Sequence, residues 1–133
     1  MANIEITNNK TRGVVLYEPV FKDETVTAVG ADTFAAGTIL ARDSVSLKLV
    51  LFVKGGVTNE NGIPKAVLTQ DLVFTGAGDL PARPMVEGQV RTGDLIIDAD
   101  GDATNVDAAV LDQLRDYGIV GLSTTQLAQL DNQ

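Results

Sequence analysis

From residue 45 to residue 54 every odd position is apolar: Val45, Leu47, Leu49, Leu51 and Val53. The even positions run Ser46, Lys48, Val50, Phe52 and Lys54. A period of two sets one group on one face of a strand, whereas a helix would spread it around the circumference. The stretch therefore predicts a strand with one buried face. Residues 55–64 are rich in turn formers, with Asn61-Gly62 as the expected tight turn. Beyond them Ala66, Leu68, Leu72 and Phe74 share a second face, interrupted by Gln70. The two strands are expected to pair, which makes residues 37–74 the spine of a small β domain.

A chain of 133 residues, 44% of them hydrophobic, is long enough for one compact domain and too short for two ordinary ones. With 5% aromatics and no Trp, the core must be built mostly from Val, Leu, Ile and Ala. Thirteen glycines raise the entropy that ordering must overcome, so burial against a partner would help. Cys and His are both absent. Disulfides, thiolate nucleophiles, imidazole bases and the commonest metal ligands are thus unavailable. An enzyme would have to work with carboxylates, Lys, Ser or Tyr, and the expectation is that this protein is not one.

The net charge of −8 is unevenly placed. Residues 1–66 carry seven basic and seven acidic side chains, whereas residues 67–133 set Arg83, Arg91 and Arg115 against eleven acids. The second half should repel nucleic acid and anionic membranes, and the chain lacks the basic patch and stacking aromatics of a nucleic-acid binder. The start, MANIEITNNK, has no basic run leading into an apolar core, and no window approaches the ~20 apolar residues of a membrane span. Synthesis in the cytoplasm is expected.

Near the amino terminus Ile4 and Ile6 alternate with Glu5 and Thr7, and a second apolar run, Val14, Val15, Leu16 and Tyr17, precedes Glu18-Pro19. Residues 1–20 read as an arm able to pair its free backbone groups with a neighbouring sheet edge; an ordinary first strand of the domain's own sheet is the competing reading. Residues 21–133 form the β-rich domain. Residues 26–29 suggest a strand and residues 30–36 a connection, after which residues 37–42 open the spine. Residues 75–84, with two glycines and two prolines, predict a loop whose tip, Ala77, Gly78, Asp79 and Leu80, is a contact site. Residues 85–91 alternate again, with Val86 and Val90 on one side, and residues 94–98 follow a Thr92-Gly93 turn. One convincing helix comes late: Thr104 or Asn105 caps it, Asp107 occupies its first turn, and Val106, Val110, Leu114 and Tyr117 recur at helical spacing before Gly118. Val110 and Leu114 should pack on the sheet. Ser123 to Gln126 have capping-box spacing, which allows a short terminal helix.

Asp98, Asp100 and Asp102, with Asp107 beyond, could converge on a hard cation. The register opposes an EF-hand: Gly101 precedes the third carboxylate, and the twelfth position is Ala109. A solvated turn is the preferred reading, and no metal or other cofactor is expected. Gly76-Ala77-Gly78 lacks the third glycine and the Lys-Ser/Thr of a phosphate loop.

Taken in order, AGTILAR (residues 36–42), IPKAVLTQD (63–71), EGQVR (87–91), Leu95 and Gly118-Ile119-Val120 resemble the head decoration proteins of tailed phages, the family typified by the decoration protein of phage lambda. The pattern is a Gly-Thr-Val/Ile-Leu strand, a variable hairpin, a Val-Leu-x-x-Asp strand, a Val-x-x-Gly segment and a terminal Gly-Ile-Val, covering residues 30–120. The resemblance implies a mainly β (α+β) fold, a small barrel-like or sandwich-like domain with one late helix and an extended amino-terminal arm. It implies homotrimers at the three-fold and quasi-three-fold positions of an expanded capsid. It further implies a virion location on the outer capsid surface, the major capsid protein as partner, and an arm that orders against the shell. A β-barrel module of a tail or baseplate, with a cation at Asp98, Asp100 and Asp102, is the alternative.

Overall fold

The computed structural model describes residues 14–97 and 106–122, with backbone alone at residues 16–18. The fold is mainly β with one late helix, as expected. The strands are β1 (Val15–Phe21), β2 (Glu24–Ala28), β3 (Asp32–Phe34), β4 (Ile39–Arg42), β5 (Leu49–Leu51), β6 (Pro64–Val67), β7 (Leu72–Phe74), β8 (Gly78–Ala82), β9 (Met85–Arg91) and β10 (Ile119–Leu122); helix α1 is Ala108–Asp116. Eight of these strands form one curled sheet in the order β1-β9-β6-β4-β5-β2-β8, with β10 parallel to β9, and β3 pairs with β7 in a separate ribbon.

Two apolar layers hold the sheet from opposite sides. On one side Val110 and Leu114 of α1 pack with Ile39, Val67, Met85 and Val90. On the other, Phe34 and Phe74 of the β3–β7 ribbon, their rings 5.0 Å apart, cover Leu40, Leu49, Ala66 and Leu68. The central strand β4 feeds both layers, Ile39 and Ala41 to one and Leu40 to the other, which is why its sequence is a continuous apolar run.

Helix α1 begins two or three residues later than expected, so that Asp107 precedes its first turn and Val106 lies outside it. The N-cap is Asp107, whose Oδ1 accepts from the Val110 N–H at 3.1 Å; Thr104 and Asn105 lie outside the described residues. Gly118, at φ +94°, turns the chain out of the helix and into β10. None of the described helices is long and apolar enough to cross a membrane.

The spine departs from its expected form. Residues 45–54 are not one strand. Val45, Leu47 and Val53 are exposed, Leu49 is buried, and Phe52, of the opposite parity, is buried in the helix-side layer. β5 has only three residues and pairs with β4 and β2, so the expected pairing between the two spine segments is replaced by β4 lying between β5 and β6. The tight turn sits at Asn59 and Glu60, both at positive φ and closed by Asn61 N donating to Thr58 O. Gly62 instead permits close approach to Gly56, whose carbonyl would lie 2.2 Å from an added Cβ. Ala66, Leu68 and Phe74 do share one layer, with Leu72 packed against it. Residues 85–91 are a strand, but Met85 and Val90 point into the helix-side layer and Val86 into the other; Gly88, at φ +137°, interrupts the alternation. Residues 92–94 form a 3-10 turn, followed by buried Leu95 and Ile97.

Candidate binding surface

The amino-terminal site residues divide at Val14. Ile4, Glu5, Ile6 and Thr7 lie outside the described residues. Val14 is buried in the helix-side layer, Val15 packs against it, and β1, which includes Leu16 and Tyr17, runs antiparallel to β9 as the outermost strand of the sheet. Residues 14–20 thus belong to the body of the domain, and the expected arm boundary at residue 20 falls inside β1. Val20 and Phe21 on this strand are partly exposed.

The expected contact loop is a strand. Gly78, Asp79 and Leu80 lie in β8, which pairs residue for residue with β2, and Ala77 precedes it. β8 closes the opposite end of the sheet, where Pro81 needs no ladder partner on its free side. Asp79 is bound to Lys48 at 2.5 Å, and that bond, with the Thr27 hydroxyl, holds its carboxyl below the usual range.

A third surface was not foreseen. The turn after β4 is fixed by Asp43, whose Oδ1 accepts from the Val45 and Ser46 N–H groups at 2.8 and 2.9 Å. Those bonds, Ser46 first, keep the carboxyl ionised below its ordinary range. Leu47 N donates to Asp43 O, Asp43 N to Lys48 O, and Ser44 N to Asn59 O across to the neighbouring loop. Leu47 stands at φ +65°, a conformation costly for a bulky side chain. Its carbonyl is gripped by Arg42 Nη1 at 2.8 Å. Arg42 is itself clamped by Glu24 through Nη1–Oε1 (3.2 Å) and Nη2–Oε2 (2.7 Å), which pulls the Glu24 carboxyl below its ordinary value. The turn therefore presents Val45 and Leu47, 76% and 64% exposed, on a rigid base.

Beside this turn opens a cavity of about 340 Å³, with Ala28, Phe34 and Leu51 in its apolar lining and Asp32, Asp43 and Asn61 among its polar residues. The Asn61 Oδ1 is buried without a hydrogen-bond partner. Val29 and Val57, on the loops either side, are almost wholly exposed. The three described non-glycine residues at positive φ are Leu47 of this turn and Asn59 and Glu60 of the neighbouring loop, where Asn59 O accepts from Ser44 N. The sequence signal for it was the cluster Asp43, Ser44 and Ser46, three turn-forming side chains set within an apparently alternating strand.

Among the described residues no three carboxylates converge to hold a metal ion; Asp98, Asp100 and Asp102 lie outside them. Compared with known proteins, the chain matches no family model and no curated protein.

Proposed function

We propose that this protein is a capsid decoration, or cement, protein rather than an enzyme. It sits as homotrimers on the outer surface of an expanded phage head, at three-fold and quasi-three-fold positions, bound to the major capsid protein. There it strengthens the shell against the pressure of packaged DNA. Residues before Val14 act as the arm, adding a strand to a shell edge. Each trimer engages several capsid subunits together, so that modest single contacts multiply.

The observation that carries this reading is where the family-like segments fall. Dispersed over residues 36–120, they are neighbours in space. Ala36 N donates to Asp71 Oδ1 at 2.8 Å, Gly37 N to Leu68 O, and Leu68 N to Thr38 O. Thr38 bridges to Ile96, and Ile119 and Val120 pair with Gly88 and Gln89. Short apolar motifs that converge on one structural unit support a shared fold better than the same motifs scattered.

The test is sedimentation of the purified protein with expanded shells that lack it. Saturable binding in multiples of three copies is expected, and deletion of residues 2–13 should reduce occupancy. Undiminished occupancy after that deletion refutes the arm, and no binding by the intact chain refutes the decoration reading.

A further inference from the structure

We propose that the face built by the Asp43–Leu47 turn, the cavity beside it and the exposed Val29 and Val57 docks the shell protein. Its chemical target is an apolar side chain flanked by a basic residue. The inference rests on the decoration reading and assigns the contact to a particular surface of the body, distinct from the amino-terminal arm.

Three independent observations point there. Four large apolar side chains, Val29, Val45, Leu47 and Val57, are exposed on adjoining loops, a concentration that marks protein contact sites more often than chance exposure. The turn beneath two of them is over-determined by hydrogen bonds and holds Leu47 in a strained conformation. A hydrophobic knob kept rigid at a conformational cost loses little further entropy on docking, which is the character of an interface anchor. The cavity beside it stands at the small end of ligand pockets, roughly 300–1,000 Å³, and has room for one or two side chains from the partner.

The rim specifies the partner's charge. Asp32 and Asp43, which line the cavity, have no cation within 4 Å among the described residues, whereas the nearby Lys48 and Arg42 are taken up by Asp79 and Glu24. An apolar surface ringed by uncompensated carboxylates favours an apolar residue with Lys or Arg beside it and disfavours an acidic segment. The residues proposed to meet the partner, Val29, Asp32, Asp43, Val45, Leu47 and Val57, belong to the half of the chain with no net charge, which leaves the strongly acidic half free to face outward.

The experiment uses the full chain and expanded shells stripped of it, with a Leu47→Asn, Val57→Asn double variant. Asn tolerates positive φ better than Leu, so the melting midpoint should hold or rise. Shell affinity should fall at least tenfold, and the wild-type affinity should weaken with salt. If the wild type binds and the variant binds equally well, the inference is overturned and the decoration reading stands. If the variant instead loses its native self-association, the face is a contact between copies and the shell is the wrong occupant. If the wild type itself does not bind shells, the decoration reading falls and the inference with it.

Discussion

Replacing Arg42 by Met keeps the side-chain stem and removes the guanidinium that ties β4 to β2 and to the Leu47 turn. The Glu24 side chain is only 10% exposed, so its carboxylate would be left nearly buried without its main counter-charge. Breaking a buried ion pair from one side costs about 3–5 kcal/mol. Here Arg42 is one-third exposed and Lys22 stands 3.5 Å from Glu24 Oε2, so solvent and a second cation reduce the expected loss to about 2–3 kcal/mol. The sign with pH follows from Glu24, whose carboxyl is lowered first by its bond to Arg42. A depressed carboxyl stabilises the fold fully above the unfolded value, about 4.3, and that contribution disappears as pH falls through the folded value. The wild-type and Arg42→Met curves should therefore converge below about pH 4, leaving roughly the 1 kcal/mol of the Leu47 carbonyl bond. Urea unfolding followed by far-ultraviolet circular dichroism, at one fixed protein concentration, measures both. A loss under about 1 kcal/mol at pH 7, or a difference constant from pH 7 to pH 3, would refute the reasoning.

Gly37→Ala should be severe: φ is +99° and the new Cβ would lie 1.9 Å from the Asp94 carbonyl oxygen. The backbone would have to part where Ile96 N meets Gly37 O and Ile39 N meets Ile96 O, at about 3–5 kcal/mol by urea unfolding. Leu114→Ala, which empties the centre of the helix-side layer, should cost about 2–5 kcal/mol with little change in the slope of the unfolding curve. Asp107→Ala should lower the melting midpoint more than Lys54→Ala does, since Asp107 caps α1 as well as pairing with Lys54; equal effects would mean the cap contributes nothing. Reversing Glu87 or Asp94 to Lys, in the acidic half, should leave shell binding intact in a sedimentation assay, and abolished binding would contradict the proposed orientation.

Legibility in the sequence followed how local each determinant was. Helix α1 was readable because Val110 and Leu114 recur at its period and Gly118 stops it. The layer shared by Ala66, Leu68 and Phe74 was readable from parity, although which strands paired was not, because β4 separates β5 from β6. The 45–54 segment misled because exposed Val45 and Leu47, held out on a turn, imitate the alternation of a buried strand. The turn is set by Asp43, which accepts from the Val45 and Ser46 N–H groups, and is fixed further by the Arg42 bond to Leu47 O and the Ser44 bond to Asn59 O. β8 was concealed by Pro81, which rules out a central strand and is harmless at an edge. The binding face left only the Asp43, Ser44 and Ser46 cluster as a signal, since loops distant in sequence meet to form it.

The decoration reading is tested most directly by counting. Quantitative mass spectrometry of purified virions from the protein's source should find it in near-equal copy number with the major capsid protein. A few copies per particle, or none, would contradict the account.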